Sequence, residues 1–93
     1  MYTVYTLISQ SKNWIYVGMT SDINDRISRH QNGYERTTKP YRPFSVLLLA
    51  SAFNRHEARR LEKWYKTAYG KSVIREFLTF LKQQGDTGLS TDR

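Results

Sequence analysis

Residues 2–18 read YTVYTLISQSKNWIYVG. Two runs rich in Val, Ile, Tyr and Thr flank the polar break Ser9-Gln10-Ser11-Lys12-Asn13, which is the chemistry of two strands joined by a turn. The stretch predicts a β-hairpin. A register centred on Gln10-Ser11 leaves an even-numbered loop and sets Tyr5 directly opposite Tyr16 on one face, with Cβ atoms roughly 5 Å apart. An odd loop would send the two phenols to opposite faces.

Outward from the hairpin, Gly18 ends the second strand, and Thr20 or Ser21 can cap a helix over 22–31 that stops at Asn32-Gly33. In that helix Ile23 and Ile27 form an anchoring row, with Arg26 and His30 beside it, each pair four apart. Residues 34–43 hold two prolines and cannot be a helix or a central strand. Residues 44–53 are nearly all apolar and read as a strand buried on both faces, the expected sheet centre. From Asn54, a plausible N-cap, Ala58, Leu61, Tyr65 and Ala68 make a helical stripe ending near Tyr69-Gly70; Val73, Ile74, Phe77, Leu78 and Leu81 mark the buried face of a third helix. The order implies an α+β fold, a small three-stranded antiparallel sheet flanked by about three helices. One domain over 1–84 and a flexible tail over 85–93 are expected.

With 93 residues, 39% of them hydrophobic and 14% aromatic, the chain has material for one core and too little for two. No stretch approaches the roughly 20 apolar residues of a membrane span, and the N-terminus lacks the layout of a signal peptide, so a cytoplasmic protein without a membrane partner is expected. The absence of cysteine removes disulfides and thiolate sites, leaving oxygen or imidazole ligands for any metal. Magnesium or manganese then leads. Fifteen Lys and Arg against eight Asp and Glu give a net charge of +7, which suits a polyanion such as nucleic acid. Arg36, Lys39 and Arg42, with Thr37 and Thr38 among them, form a basic loop; Arg55 and Arg59 add charge further on.

A few polar residues fall where a purely structural role is uncomfortable. Glu62 lies within or at the edge of the apolar stripe, where a carboxylate must pair with a neighbouring base or bind a cation. Glu57 sits at the helix start and more naturally offsets the macrodipole. Arg26 is either a solvated charge or a guanidinium for a phosphate, and His30 either a packing residue or a proton carrier near neutral pH. Arg29 points elsewhere, to solvent or a backbone group. Tyr5 and Tyr16 are ordinary strand residues taken singly. Together, two phenols, an Arg-His pair and a carboxylate are the parts needed to activate water, neutralise a phosphate and hold a metal.

Tyr5 in Thr3-Val4-Tyr5 and Tyr16-Val17-Gly18 some ten residues later resemble the paired motif of the GIY-YIG endonuclease superfamily. The resemblance extends through Gly18-Met19-Thr20-Ser21-Asp22, Arg26, His30, Thr37-Thr38-Lys39 and Glu62 in Arg60-Leu61-Glu62-Lys63. It covers residues 2 to about 80 and is nearest the compact bacterial single-domain branch. It implies a Glu62-bound divalent ion, Arg26 on the phosphate, Tyr5 as general base or water-positioning group, and Tyr16 and His30 completing the site. Gly18, Arg36, Thr38, Lys39 and Arg42 are the implied nucleic-acid contacts, with DNA placed ahead of RNA and a protein partner available for targeting. The family's first Gly is Thr3 here. The alternative is a nucleic-acid-binding module whose nuclease site is unused; a basic adaptor for a membrane or an acidic protein ranks last.

Overall fold

The computed structural model describes the backbone of residues 1–92 and the side chains of residues 1–84. The tail expected at 85–93 lies outside the residues described in full. Three strands, β1 (Tyr2–Ser9), β2 (Ile15–Thr20) and β3 (Phe44–Ala52), accompany three helices, α1 (Ile23–Gln31), α2 (Arg55–Lys66) and α3 (Ala68–Asp92), with a 3-10 turn over Lys39–Tyr41. The sheet is antiparallel throughout, so the fold is α+β. One compact unit spans Met1–Lys63 and a second begins at Trp64.

In the first unit the sheet order is β2-β1-β3, which corrects the expectation that the strand from Phe44 is central. β1 holds the centre. Val4, Tyr5, Thr6 and Leu7 are all fully buried, whereas β3 is an edge on which Leu48 is 58% exposed. An unbroken apolar run signals burial only when both faces are covered, and here the half-polar strand is the one with neighbours on both sides. β3 also carries a bulge, because Val4 pairs with Ala50 and Tyr5 with Leu48, leaving Leu49 as the extra residue.

The hairpin is real, but its register is shifted by two. Tyr5 pairs with Gly18, and Tyr16 with Leu7. Ser9 is the reason: its hydroxyl accepts from the backbone N–H of Ser11 and of Lys12 and donates to the Tyr41 carbonyl at 2.7 Å, organising a longer turn than loop counting assumes. Because the shift is even, both phenols stay on one face. Their ring centroids are 6.4 Å apart. Gly18 makes this diagonal packing feasible, since a Cβ there would stand 2.7 Å from the Tyr5 hydroxyl and 2.9 Å from the Tyr16 ring.

That face carries the core. Tyr5, Leu7 and Phe44 form its centre, with Trp14, Tyr16, Ile23, Tyr41 and Val46 packed around them. α1 is capped by Asp22, whose side chain accepts from the Asp25 N–H, and not by Thr20 or Ser21; Thr20 instead accepts from the Asp22 N–H, setting the cap in place. At the other end Gly33 adopts φ +79, the left-handed stop that glycine allows. The Gln31 amide then clasps Phe44, donating to its carbonyl at 3.0 Å and accepting from its N–H. This clasp joins α1 to β3 and holds His30 against the sheet.

Asn54 caps α2 as expected, accepting from the Glu57 N–H at 2.9 Å. In the second unit the chain breaks earlier than the stripe implied. Thr67 donates to the Trp64 carbonyl and accepts from the Gly70 N–H, ending one helix and capping the next, so Ala68 opens α3. Gly70 permits the tight reversal, because a Cβ there would press on the Trp64 carbonyl and lie 2.6 Å from Tyr65 Cα. Ile74 is buried, but Phe77 and Leu81, expected on a buried face, are exposed. Among the described residues no helix is long and apolar enough to cross a membrane.

Candidate active site

A cleft of about 280 Å³ opens within the first unit. Tyr16 and the segment Met19-Thr20-Ser21 come from β2 and its end, Arg26 from α1, Arg55, Arg59 and Glu62 from α2, and Tyr2 from β1. Residues 55, 59 and 62 recur at i, i+4 and i+7, one helix face, which is why α2 presents all three to the same space. Arg26 reaches it because Asp22 starts α1 directly after β2. Three guanidinium groups, one carboxylate and two phenols, Tyr2 and Tyr16, therefore line the cleft.

Glu62 is 7% exposed, so its carboxylate sits largely inside the protein with an opening to the cleft. Arg59 Nε lies 3.7 Å from Glu62 Oε1, a loose ion pair with the arginine half exposed. Among the described residues no three His, Cys, Asp or Glu side chains cluster as a metal cage. A single hard oxygen donor at an open cleft still fits magnesium or manganese, which keep most of their water and share oxygens with a substrate phosphate.

Tyr5 and His30 stand behind the cleft and not on its wall. Tyr5 is fully buried and His30 is 1% exposed. Their link is direct: Tyr5 Oη lies 3.0 Å from His30 Nε2, and His30 Nδ1 lies 2.8 Å from Thr38 Oγ1. Burial, helped by the neighbouring Tyr16 phenol, pushes the Tyr5 hydroxyl well above the usual range; the Arg26 guanidinium beside it pulls part of the way back. Burial likewise lowers the His30 imidazole. Both groups are therefore neutral at pH 7. Thr38 gives its hydroxyl proton to the Glu35 carbonyl at 3.4 Å, so it accepts from His30 Nδ1–H, and Nε2 in turn accepts from the Tyr5 hydroxyl. A directed chain runs from the Tyr5 phenol, which feels the cleft's Arg26, into the loop.

The remaining residues singled out in the sequence divide by depth. Gly18 is a packing position beneath both phenols. Thr38 is buried as the partner of His30. Arg42 is exposed yet donates from Nε to the Lys39 carbonyl and covers Gly33, while Arg36 and Lys39 are exposed on the loop. Arg29 pairs with Glu35 at 2.8 Å, fastening α1 to that loop. Thr3 occupies the glycine position without disruption, paired with Thr20 on one side and Ser51 on the other. Arg55 and Arg59 entered the sequence reading only as surface charge; their four-residue spacing, with Glu62 three further, was the signal that they share its face.

The GIY-YIG catalytic domain matches residues 1–75, most of the chain, and the chain belongs to that family. Such domains are typically nucleases acting on nucleic acid with a divalent metal. No curated protein and no solved structure matches it.

Proposed function

We propose that this chain is a metal-dependent endonuclease that hydrolyses phosphodiester bonds in DNA at the β2, α1 and α2 cleft. The supporting observation is the convergence of Tyr16, Arg26 and Glu62 from three separate elements on one space. Glu62 would hold a magnesium or manganese ion, which would supply charge neutralisation at the phosphate. Arg26 binds the scissile phosphate and meets the negative charge that grows on it in the transition state. Tyr16 faces the cleft and orients the attacking water.

Tyr5 acts from behind the wall. As a protonated phenol that accepts from Arg26 and donates to His30, it holds the guanidinium at one orientation, a positioning role in place of proton abstraction. Thr38 keeps His30 in the tautomer this requires. Arg36 and Lys39 contact the backbone beyond the cleft, with DNA ahead of RNA as substrate, a protein partner for targeting, and the cytoplasm as the place of action.

The competing reading, a nucleic-acid-binding module without turnover, draws on the Arg59 to Glu62 ion pair, which engages the carboxylate a metal needs. A cleavage panel decides between them: single-stranded, duplex, flapped and branched DNA, and RNA, each with magnesium, manganese or chelator. Metal-dependent cutting of any of these supports the nuclease. Salt-sensitive binding with no cutting supports the module.

A further inference from the structure

We infer that Arg55 and Arg59 form a second phosphate subsite, which holds the backbone phosphate next to the scissile one on the same strand. The inference rests on the nuclease reading for the word scissile, but the subsite itself is argued from charge and spacing.

Arg26, Arg55 and Arg59 face one carboxylate, Glu62, in the same cleft. The cleft's side chains thus carry a net charge of +2, three guanidinium groups less one carboxylate. Among the described residues Arg55 and Arg26 make no ion pair, and Arg59 makes only the 3.7 Å pair with Glu62. One phosphodiester brings a single negative charge, so it would leave the cleft cationic even before a divalent ion is added. Two successive phosphates are the smallest stretch of strand that balances the side chains by themselves.

Helix geometry sets where the second one lies. At 1.5 Å rise per residue, Arg55 stands roughly 6 Å along α2 from Arg59 and about 10 Å from Glu62. A phosphate at Glu62 and Arg26 therefore leaves Arg59 about one turn and Arg55 about two turns further along the same helix face. Arg59 lies between the two positions, and its planar fork can leave Glu62 for a phosphate oxygen when a cation takes the carboxylate. Arg60 is a built-in contrast: it points off this face, paired with Glu57 at 3.1 Å.

The test is the salt dependence of binding, measured by fluorescence anisotropy on a labelled DNA duplex with chelator present, so that no cutting intervenes. Wild type, Arg55→Ala, Arg59→Ala, the double variant and Arg60→Ala are compared, each checked for wild-type circular dichroism. Each cleft arginine removed should lower the slope of log K against log salt by about 0.9, the double variant by about twice that, and Arg60→Ala by far less. An unchanged slope in the double variant, or an equal loss in Arg60→Ala, overturns the subsite. The outcome is independent of turnover: a protein that shows these slopes and never cuts keeps the subsite and loses the nuclease, and one that cuts with unaltered slopes does the reverse.

Discussion

Tyr5 Oη and His30 Nε2 lie 3.0 Å apart, both sealed from solvent, with the Arg26 guanidinium near enough to the phenol to pull its proton affinity down. The phenol is thus a bridge between an arginine that lines the cleft and an imidazole anchored on Thr38. Tyr5→Phe keeps the ring's packing but leaves a buried Nε2 without its donor, a change that should cost about 1–3 kcal/mol of stability. Urea unfolding measures it. Cleavage should fall with it, because Arg26 loses its acceptor; a variant as stable and as active as wild type would show that the bridge holds nothing.

Gly18 is the floor of the same cluster. Its replacement by Ala sets a methyl 2.7 Å from the Tyr5 hydroxyl and 2.8 Å from the ring carbon that bears it, and the Tyr5 ring, fully buried, must shift to admit it. A loss of about 1–3 kcal/mol is expected, read as a lowered urea midpoint. Wild-type stability in Gly18→Ala would mean that the two phenols can separate freely.

Acid should weaken the fold through His30. Burial holds its imidazole below the ordinary value, so the unfolded chain, titrating near about 6.5, takes up a proton before the folded one does. Stability from this group is therefore complete above about pH 6.5 and lost as the pH falls below it toward the folded value. Unfolding at pH 7.5 and 5.5 should show the decline, and His30→Asn should flatten it over that window. An equal decline in the variant would assign the effect to other groups.

Much of the architecture could be read in the chain because it rests on local chemistry. Val, Ile and Tyr around a polar break made the hairpin legible, Asn54 announced α2, and the even register kept Tyr5 and Tyr16 together. What eluded the reading was set by distant partners. The Ser9 hydroxyl reaches the Tyr41 carbonyl across 32 residues and lengthens the turn, and no propensity in the run from Phe44 reveals which strand has neighbours on both sides. The Thr67 cap sat within a pattern that still looked helical. At the site, Glu62 was visible as a carboxylate in an apolar stripe, whereas Thr38 looked like a surface residue of a basic loop until its partner, His30, was placed in space.

The carboxylate of Glu62 carries the central claim, and its amide variant tests it. With magnesium or manganese and a panel of DNA and RNA substrates, wild-type protein should cut and Glu62→Gln should cut at least about 100-fold more slowly, roughly 3 kcal/mol of barrier, while circular dichroism and thermal midpoint stay close to wild type. A folded Glu62→Gln that cuts at the wild-type rate, or a wild type that cuts equally well in chelator, would contradict it.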